Sequence, residues 1–215
     1  MVDSEDEAIK VILLGESGVG KTNLINITNG LNFNNNELVS STSSYCIKNL
    51  YVNGKEYSIK LWDTVGQEKL RNLTKLFYND SKIVIFVYDI TRKETFEEVE
   101  NYWVKDVEEK LGKDIIRGVV ANKMDLFINE QVSREEGEKF AKSIGSQFLA
   151  CSAKTDNPKK FEDFLVRLYE QYLIKEGVDL SDPKPTKNEI KNKNIVLDKK
   201  KNSNVGGGSK CCLNK

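Results

Sequence analysis

A glycine-rich segment directly after a short apolar run is the first part of this chain with residue types suited to chemistry. Residues 15–22 read Gly-Glu-Ser-Gly-Val-Gly-Lys-Thr and match the pattern G-x-x-x-x-G-K-[S/T]. Glycines at these positions let successive backbone N–H groups converge on phosphate oxygens, and a helix that begins there adds its positive end. In this arrangement Lys21 neutralises phosphate charge and the Thr22 hydroxyl ligates Mg²⁺. The predicted nucleotide-binding residues of this loop are Gly15, Glu16, Ser17, Gly18, Val19, Gly20, Lys21, Thr22 and Asn23.

Two further segments indicate which base the nucleotide carries. Asn122-Lys123-Met124-Asp125 follows an apolar run, and Ser152-Ala153-Lys154 follows another. A carboxylate at Asp125 can accept both the ring N–H and the exocyclic amine of guanine, whereas adenine offers no such pair of donors. The Ala153 N–H is expected to reach the base oxygen. Taken alone, the four residues 122–125 have a surface turn as their alternative interpretation. The predicted base-binding residues are Asn122, Lys123, Asp125, Ser152, Ala153 and Lys154.

The segment from Asp63 to Glu68 (DTVGQE) supplies the groups needed for phosphoryl transfer. We expect Asp63 to hold Mg²⁺ through water, the Gly66 N–H to approach a γ-phosphate, and Gln67 to orient an attacking water. The chain contains no histidine, which excludes Ser-His-Asp triads, Cys-His pairs and histidine zinc sites. Positioning and charge neutralisation by Lys21, Gly66 and Gln67 must therefore carry the reaction.

The elements that position these loops can be predicted from apolar patterns. Continuous apolar runs at 8–14, 83–88 and 115–121 predict buried strands, and 45–52 and 56–62 predict a hairpin closed by Asn53-Gly54. Three- and four-residue spacing predicts helices at 22–28, 95–111 and 161–172, and Ser133 with Glu136 predicts the start of another. Alternating strands and helices predict an α/β fold with a mostly parallel sheet, one antiparallel edge strand and helices on both faces.

Charge is distributed unevenly along the 215 residues. The chain has 33 basic and 33 acidic side chains, but residues 181–215 hold nine lysines and three acids, which leaves 24 basic and 30 acidic residues in 1–180. An acidic body with a basic tail argues against a nucleic-acid-binding globule.

Residues 1–7 are acidic and lack an apolar segment, so we expect no secretory signal. From about residue 177 the pattern becomes low in complexity, which predicts a flexible tail.

At this point the chain resembles the small GTPases of the Ras superfamily and, within it, the Rab family. The resemblance covers roughly residues 8–175 and rests on GESGVGKT (15–22), WDTVGQE (62–68), NKMD (122–125) and CSAK (151–154), in that order. Segments 59–62, 69–74 (KLRNLT), 77–78 and 86–91 (FVYDIT) are typical of Rab rather than Ras proteins. The resemblance implies a P-loop NTPase fold with six strands, a small GTPase domain at 8–176, an N-terminal extension at 1–7 and a hypervariable tail at 177–215.

The family implies roles for further positions. Phe33 resembles the aromatic that packs on the guanine edge, with packing into the core as its alternative. Tyr45, Trp62 and either Phe77 or Tyr78 resemble the aromatic surface presented to effectors, although Trp62 could also simply pack the sheet. The threonine that ligates Mg²⁺ in the family falls on Ser40, with Thr42 as a rival. Val65 stands where the family has alanine, which could slow hydrolysis.

The chain ends in Lys-Cys-Cys-Leu-Asn-Lys, with Cys211 and Cys212 near the terminus. This ending is similar to the Rab sites for double geranylgeranylation, and two lipid chains anchor stably where one is marginal. The alternatives are an unmodified disordered tail and a linker left by cloning.

Taken with its family resemblance, the chain is predicted to be a slow GTPase that switches between GTP and GDP with Mg²⁺ in vesicular trafficking. No arginine in cis is evident, so an activating protein is expected to supply one. Effectors, an exchange factor, a GDP-dissociation inhibitor and a prenylation escort protein are implied, with a monomer that cycles between cytoplasm and the cytosolic face of an endomembrane. The rivals are a GTP-binding scaffold with little hydrolysis, because of Ser40 and Val65, and a P-loop kinase or ATPase.

Overall fold

The computed structural model describes residues 8–33, 44–64 and 78–180. Within these residues six strands form one sheet in the order β2-β3-β1-β4-β5-β6. β2 runs antiparallel to β3, and every other neighbouring pair is parallel. The strands are β1 (Ile9–Leu14), β2 (Ser44–Val52), β3 (Lys55–Asp63), β4 (Ser81–Asp89), β5 (Ile116–Asn122) and β6 (Gln147–Ala150). The predicted mostly parallel sheet with one antiparallel edge strand is confirmed.

Helices cover both faces of the sheet, as the alternating pattern predicts. They are α1 (Lys21–Thr28), α2 (Lys93–Glu98), α3 (Val104–Leu111), α4 (Arg134–Ser143) and α5 (Lys159–Lys175), with a 3₁₀ helix at Met124–Asn129. The single regular helix expected over 95–111 is interrupted, because a π-helical turn at Val99–Trp103 joins α2 to α3. A π turn accommodates an extra residue, and here it keeps both Val99 and Trp103 buried in the core.

Two hydrophobic cores lie on opposite faces of the sheet. Successive side chains of a strand point to opposite faces, so β4 sends Ile83, Ile85 and Val87 to one core and Val84, Phe86 and Tyr88 to the other. The first core is completed by α1 and α5, and the second by α2, the π turn, α3 and α4. Burial on both faces explains why these strands read as continuous apolar runs rather than as alternating patterns.

The hairpin between β2 and β3 turns at Asn53 and Gly54, as predicted. Their φ angles are 47° and 75°, and positive φ at both central residues is the requirement of a type I′ turn. The predicted helix start at Ser133 is also present, since its side chain accepts a hydrogen bond from the backbone N–H of Glu136. α5 is followed by Gly177 with φ 78°, a left-handed residue that ends the helix.

Cys46 and Cys151 are free thiols. Across 8–33, 44–64 and 78–180, no helix combines the length and apolarity that crossing a membrane requires. The proposed boundaries at residues 7 and 176 stay predictions.

Candidate nucleotide-binding site

Four of the predicted loops meet at one edge of the sheet. They follow the carboxyl ends of β1, β3, β5 and β6, which are parallel to one another and therefore end on the same side. Ligands of open α/β sheets bind outside the carboxyl ends of the strands. The topology thus brings the glycine-rich loop, Asp63, the 122–125 segment and the 152–154 segment to one place.

The glycine-rich loop has a conformation that requires glycine at two positions. A Cβ on Gly15 would lie 2.1 Å from the Val87 carbonyl oxygen, and one on Gly20 would lie 2.4 Å from Nδ2 of Asn122. Gly20 also has φ 98°, a left-handed value, and leads directly into α1. The loop is therefore packed against β4 and β5, and its backbone groups are held at the positive end of a helix.

Lys21 is enclosed by the loop that it belongs to. Its side chain is 5% exposed, and its Nζ donates to the carbonyl oxygens of Gly15 at 2.8 Å and Glu16 at 2.9 Å. Burial lowers the pKa of Lys21 to about 8, although Asp63 and Glu16 oppose that effect. A buried ammonium at the centre of the loop is suited to neutralise phosphate charge.

Thr22 and Asp63 form a pair of hard oxygen donors. The Thr22 hydroxyl donates to Oδ2 of Asp63 at 2.6 Å, and Asp63 is 3% exposed. A hydroxyl oxygen carries two acceptor lone pairs besides the proton that it donates, and metals bind through such lone pairs. Mg²⁺ usually takes one or two protein ligands and fills its octahedron with water and phosphate oxygens. The pair therefore fits Mg²⁺, and the carboxylate supplies the negative charge that the ion needs.

Asn122 binds protein backbone on both sides. Its Nδ2 donates to the Val19 carbonyl at 2.8 Å, and its Oδ1 accepts from the Ala153 N–H at 3.1 Å. The side chain is buried, and both hydrogen bonds are too. Asn122 was predicted to bind nucleotide; in this arrangement it joins the phosphate loop to the third base-binding segment, which sets the relative position of the two.

Asp125 is oriented by Ser152. The Ser152 hydroxyl donates to Oδ1 of Asp125 at 2.6 Å and accepts from the N–H groups of Lys154 and Thr155 at 3.1 Å each. The Ser152 N–H in turn donates to Asp156. A carboxylate held in this way is presented in a fixed direction, as recognition of a guanine edge requires.

A cluster that sequence reasoning missed lies beside these loops. Asp89, at the end of β4, pairs with Nζ of Lys123 at 2.7 Å, and Arg92 donates to the Ser17 carbonyl at 2.8 Å. Burial alone would raise the pKa of Asp89, but hydrogen bonds from Lys123 and Thr91 outweigh it and hold the pKa below its ordinary value. The rule that sites follow strand ends would have pointed to this loop, because β4 is central and parallel.

Comparison with known proteins identifies the family. A sequence model of the Ras family matches residues 10–173. The chain is 35% identical over 210 residues to Ras-related protein Rab-21 of Bos taurus, covering 95% of this chain and 92% of that protein. The human Rab-21 gives 35% identity with 95% and 91% covered, and Ras-related protein Rab-8B of Bos taurus gives 36% over 155 residues with 72% and 74% covered.

The chain is a Rab-type member of the Ras family. Rab proteins are small GTPases, so this chain hydrolyses GTP, binds GTP and GDP with Mg²⁺, and belongs to the proteins of membrane trafficking that cycle on and off membranes. Rab proteins in general work with effectors, exchange factors, activating proteins and GDP-dissociation inhibitors. Family membership does not support the alternative of a scaffold with little hydrolysis, and it excludes a P-loop kinase.

The predicted aromatic surface of this Rab protein is partly described. Tyr45 and Trp62 are paired across β2 and β3, and their rings stack at 4.8 Å between centroids. Tyr45 is 51% exposed, whereas Trp62 is half-buried and also packs against the second core. Nζ of Lys10 lies 4.6 Å from the Trp62 ring centroid. Trp62 therefore packs the sheet, and its role in a surface presented to effectors stays a prediction.

The prediction that Tyr78 belongs to that surface is wrong. Its side chain is 2% exposed, and its hydroxyl donates to Oδ2 of Asp106 at 2.5 Å. Burial and this hydrogen bond raise the pKa of Tyr78. The aromatic side chain packs in the second core instead, so Phe77 remains as the alternative.

Phe33 is partly buried and packs against the first core, which agrees with its alternative reading; a role at the guanine edge stays a prediction.

Several predicted residues lie outside the described part of the chain. They are Ser40, Thr42, Val65, Gly66, Gln67, Phe77, Cys211 and Cys212.

Proposed function

We propose that the loops at the carboxyl edge of the sheet form the GTP- and GDP-binding site of this Rab protein. Residues 15–23 hold the phosphates, and Asp125 selects guanine together with Lys123, Ser152, Ala153 and Lys154. The observation that carries this assignment is the double hydrogen bond of Asn122 to Val19 and Ala153, because it joins a phosphate-binding loop to a base-binding loop. A nucleotide is the ligand class that needs both loops at once.

We also propose roles in GTP hydrolysis for residues of this site and of the segment that follows Asp63. Lys21 neutralises charge on the phosphates, and its enclosed ammonium needs little rearrangement to do so. Thr22 and Asp63 hold Mg²⁺, which supplies charge neutralisation at the phosphates when it is bound. Gln67 orients the attacking water, and the Gly66 N–H binds the γ-phosphate. Intrinsic hydrolysis is slow in this scheme, and an activating protein accelerates it.

Base selection is tested by exchanging the Asp125 carboxylate. Asp125→Asn replaces one acceptor with a donor, so the variant should weaken GDP binding by a factor of about 100 or more and gain affinity for the xanthosine nucleotide. Asp163→Asn is the matched control, because Asp163 is a half-exposed acid on α5 that pairs with Lys159. Competition against a fluorescent GDP measures both. ATP displacing GDP as well as GTP does would refute the assignment of Asp125.

The third protein ligand of Mg²⁺ is proposed to be Ser40, with Thr42 as the rival. Either hydroxyl is a hard oxygen donor of the kind that Mg²⁺ prefers. Ser40→Ala and Thr42→Ala, each titrated with Mg²⁺ in the presence of a GTP analogue, separate the two. The variant that needs several-fold more Mg²⁺ to retain the analogue identifies the ligand, and equal behaviour of both would remove the role from each.

For partner recognition we propose a surface made of Tyr45, Trp62 and Phe77. The exposed, stacked Tyr45 ring offers rigid aromatic area to a partner, which is the kind of group that dominates protein interfaces. Tyr45→Ala should reduce binding of an effector to the GTP-bound protein without changing GDP dissociation. Tyr51→Ala is a matched control, since Tyr51 is also an exposed tyrosine and lies at the other end of β2.

Membrane attachment is proposed to run through the tail. Cys211 and Cys212 receive geranylgeranyl groups with the help of an escort protein, and the nine lysines of 181–215 add attraction to anionic lipids. The lipidated protein then cycles between the cytoplasm and the cytosolic face of an endomembrane. The mass of the intact protein from a eukaryotic host, compared with Cys211→Ser/Cys212→Ser, tests the modification, and an unmodified mass for the native sequence would refute it.

A further inference from the structure

Arg92 reaches the phosphate loop from a different part of the chain. It follows β4, and its Nη2 donates to the Ser17 carbonyl at 2.8 Å, across 75 residues of sequence. A Cβ on Gly18 would lie 3.8 Å from the same nitrogen, so the guanidinium packs against the loop at ordinary contact distance. Its Nε lies 3.3 Å from Oδ2 of Asp89, and the side chain is 38% exposed.

The hydrogen bond from Arg92 to the Ser17 carbonyl determines the orientation of the Ser17–Gly18 peptide. In a trans peptide the C=O and the following N–H point in opposite directions. Because Arg92 binds the Ser17 carbonyl, the Gly18 N–H of the same peptide points away from the guanidinium. Gly18 has φ 75° and no side chain that would restrict the orientation of this peptide plane.

Asp89 extends the arrangement to the base-binding segment. Its buried carboxylate is shared by Arg92 and by Nζ of Lys123, and it also accepts from the N–H and hydroxyl of Thr91 at 2.9 and 2.7 Å. Lys123 has φ 67°, a left-handed value that is uncommon for a residue with a Cβ. The same carboxylate thus holds both the guanidinium that contacts the phosphate loop and the ammonium of the base-binding segment.

We propose that Arg92 is a positioning residue for the phosphates, because it fixes the Ser17–Gly18 peptide with its N–H facing the nucleotide. Asp89 pairs with both the Arg92 guanidinium and the Lys123 ammonium, and it thereby holds the two side chains at a fixed distance from each other. This inference rests on the proposed nucleotide site. Arg92 does not touch the reacting atoms in this arrangement, so it acts through the loop.

The test measures release of fluorescent GDP and the ³¹P NMR spectrum of bound GDP. Arg92→Ala should speed GDP release by about 10- to 100-fold, the range expected for loss of a charged hydrogen bond, and should shift the β-phosphate resonance. Arg92→Lys keeps the charge and a donor and should recover part of the loss. Lys93→Ala, the exposed neighbour, removes the same charge and should leave both readouts unchanged.

The outcomes separate this inference from the proposed site. Arg92→Ala with native GDP release and unshifted phosphate resonances overturns the role of Arg92, even if urea unfolding shows a less stable protein. If Arg92→Ala does not fold, Arg92→Gln retains a neutral donor, and the same two readouts decide. A native protein that holds no GDP in the presence of Mg²⁺ would instead remove the nucleotide site itself, and this inference with it.

Discussion

Asn122 offers a sharp test of how the loops are held together. Asn122→Ala removes both the donor to the Val19 carbonyl and the acceptor of the Ala153 N–H, and it leaves these two buried backbone groups without their partner. A buried polar group that loses its partner costs about 1–3 kcal/mol. The expected loss in the free energy of unfolding for the two groups is therefore about 2–6 kcal/mol, a large part of the 5–15 kcal/mol typical of a domain.

The loss is measurable by urea unfolding of the GDP-bound protein at fixed GDP and Mg²⁺. At about 2–4 °C per kcal/mol for a domain of this size, the melting temperature in a thermal unfolding experiment should fall by about 4–24 °C. GDP release should also accelerate, because the phosphate loop and the 152–154 segment lose their common support. Asn122→Asp keeps the acceptor but places an oxygen against the Val19 carbonyl, so it should be at least as unstable.

Asn101→Ala serves as the control, since Asn101 is exposed in the π turn and its loss should change stability by less than about 0.5 kcal/mol. If Asn122→Ala unfolds within 1 kcal/mol of the native protein and releases GDP at the native rate, the two hydrogen bonds do not support the site as we infer.

Three further predictions follow from individual positions. Gly20→Ala places a Cβ 2.4 Å from Nδ2 of Asn122 at a φ of 98°, so GDP affinity should fall at least tenfold in a fluorescence titration, and native affinity would contradict the packing of the loop. Phe161→Ala empties a 1% exposed site in the first core and should cost about 3–5 kcal/mol in urea unfolding; a loss below 1 kcal/mol would mean that the site refills. Burial raises the pKa of the Cys151 thiol to about 12, so little thiolate forms below that pH and labelling at pH 8, mapped by mass spectrometry, should leave Cys151 unmodified until urea unfolds the protein.

Much of the fold could be predicted because its signals are local. Strands buried on both faces are continuous apolar runs, and Asn53-Gly54 specifies a turn that few other pairs adopt. The four loops at the site could be predicted for the same reason, since each motif directly follows a strand. Parallel pairing then brings their ends together with no long-range information from the sequence.

What could not be predicted depends on which partner a side chain meets. The aromatic pair Phe77-Tyr78 does not by itself show that Tyr78 packs in the core, where its hydroxyl donates to Asp106 on α3. Asn122 belongs to a recognised motif, but only the fold shows that its side chain lies between two backbone segments. The π turn at Val99–Trp103 escaped prediction because the helical spacing of its apolar residues differs by a single residue.

Arg92 and Asn122 hold neighbouring carbonyls of one loop, and this leads to a final prediction. Arg92 comes from the end of β4 and binds Ser17, while Asn122 comes from the end of β5 and binds Val19. Only Gly18 separates the two carbonyls, so the loop segment between them is constrained from both sides. If either of these two hydrogen bonds is lost, residues 17–19 gain conformations that the remaining hydrogen bond cannot restrict. The remaining hydrogen bond then contributes less to the retention of GDP.

The two losses should therefore not add. In a double-mutant cycle on GDP release, Arg92→Ala combined with Asn122→Ala should fall short of the sum of the single effects by about 0.5–3 kcal/mol, the range found for groups that share a partner. Arg92→Ala combined with Asn101→Ala should be additive, because the exposed Asn101 lies in the π turn and shares no hydrogen-bond partner that the structure gives with Arg92. Additivity of the first pair would mean that Ser17 and Val19 are held independently, and that the loop does not move as one unit.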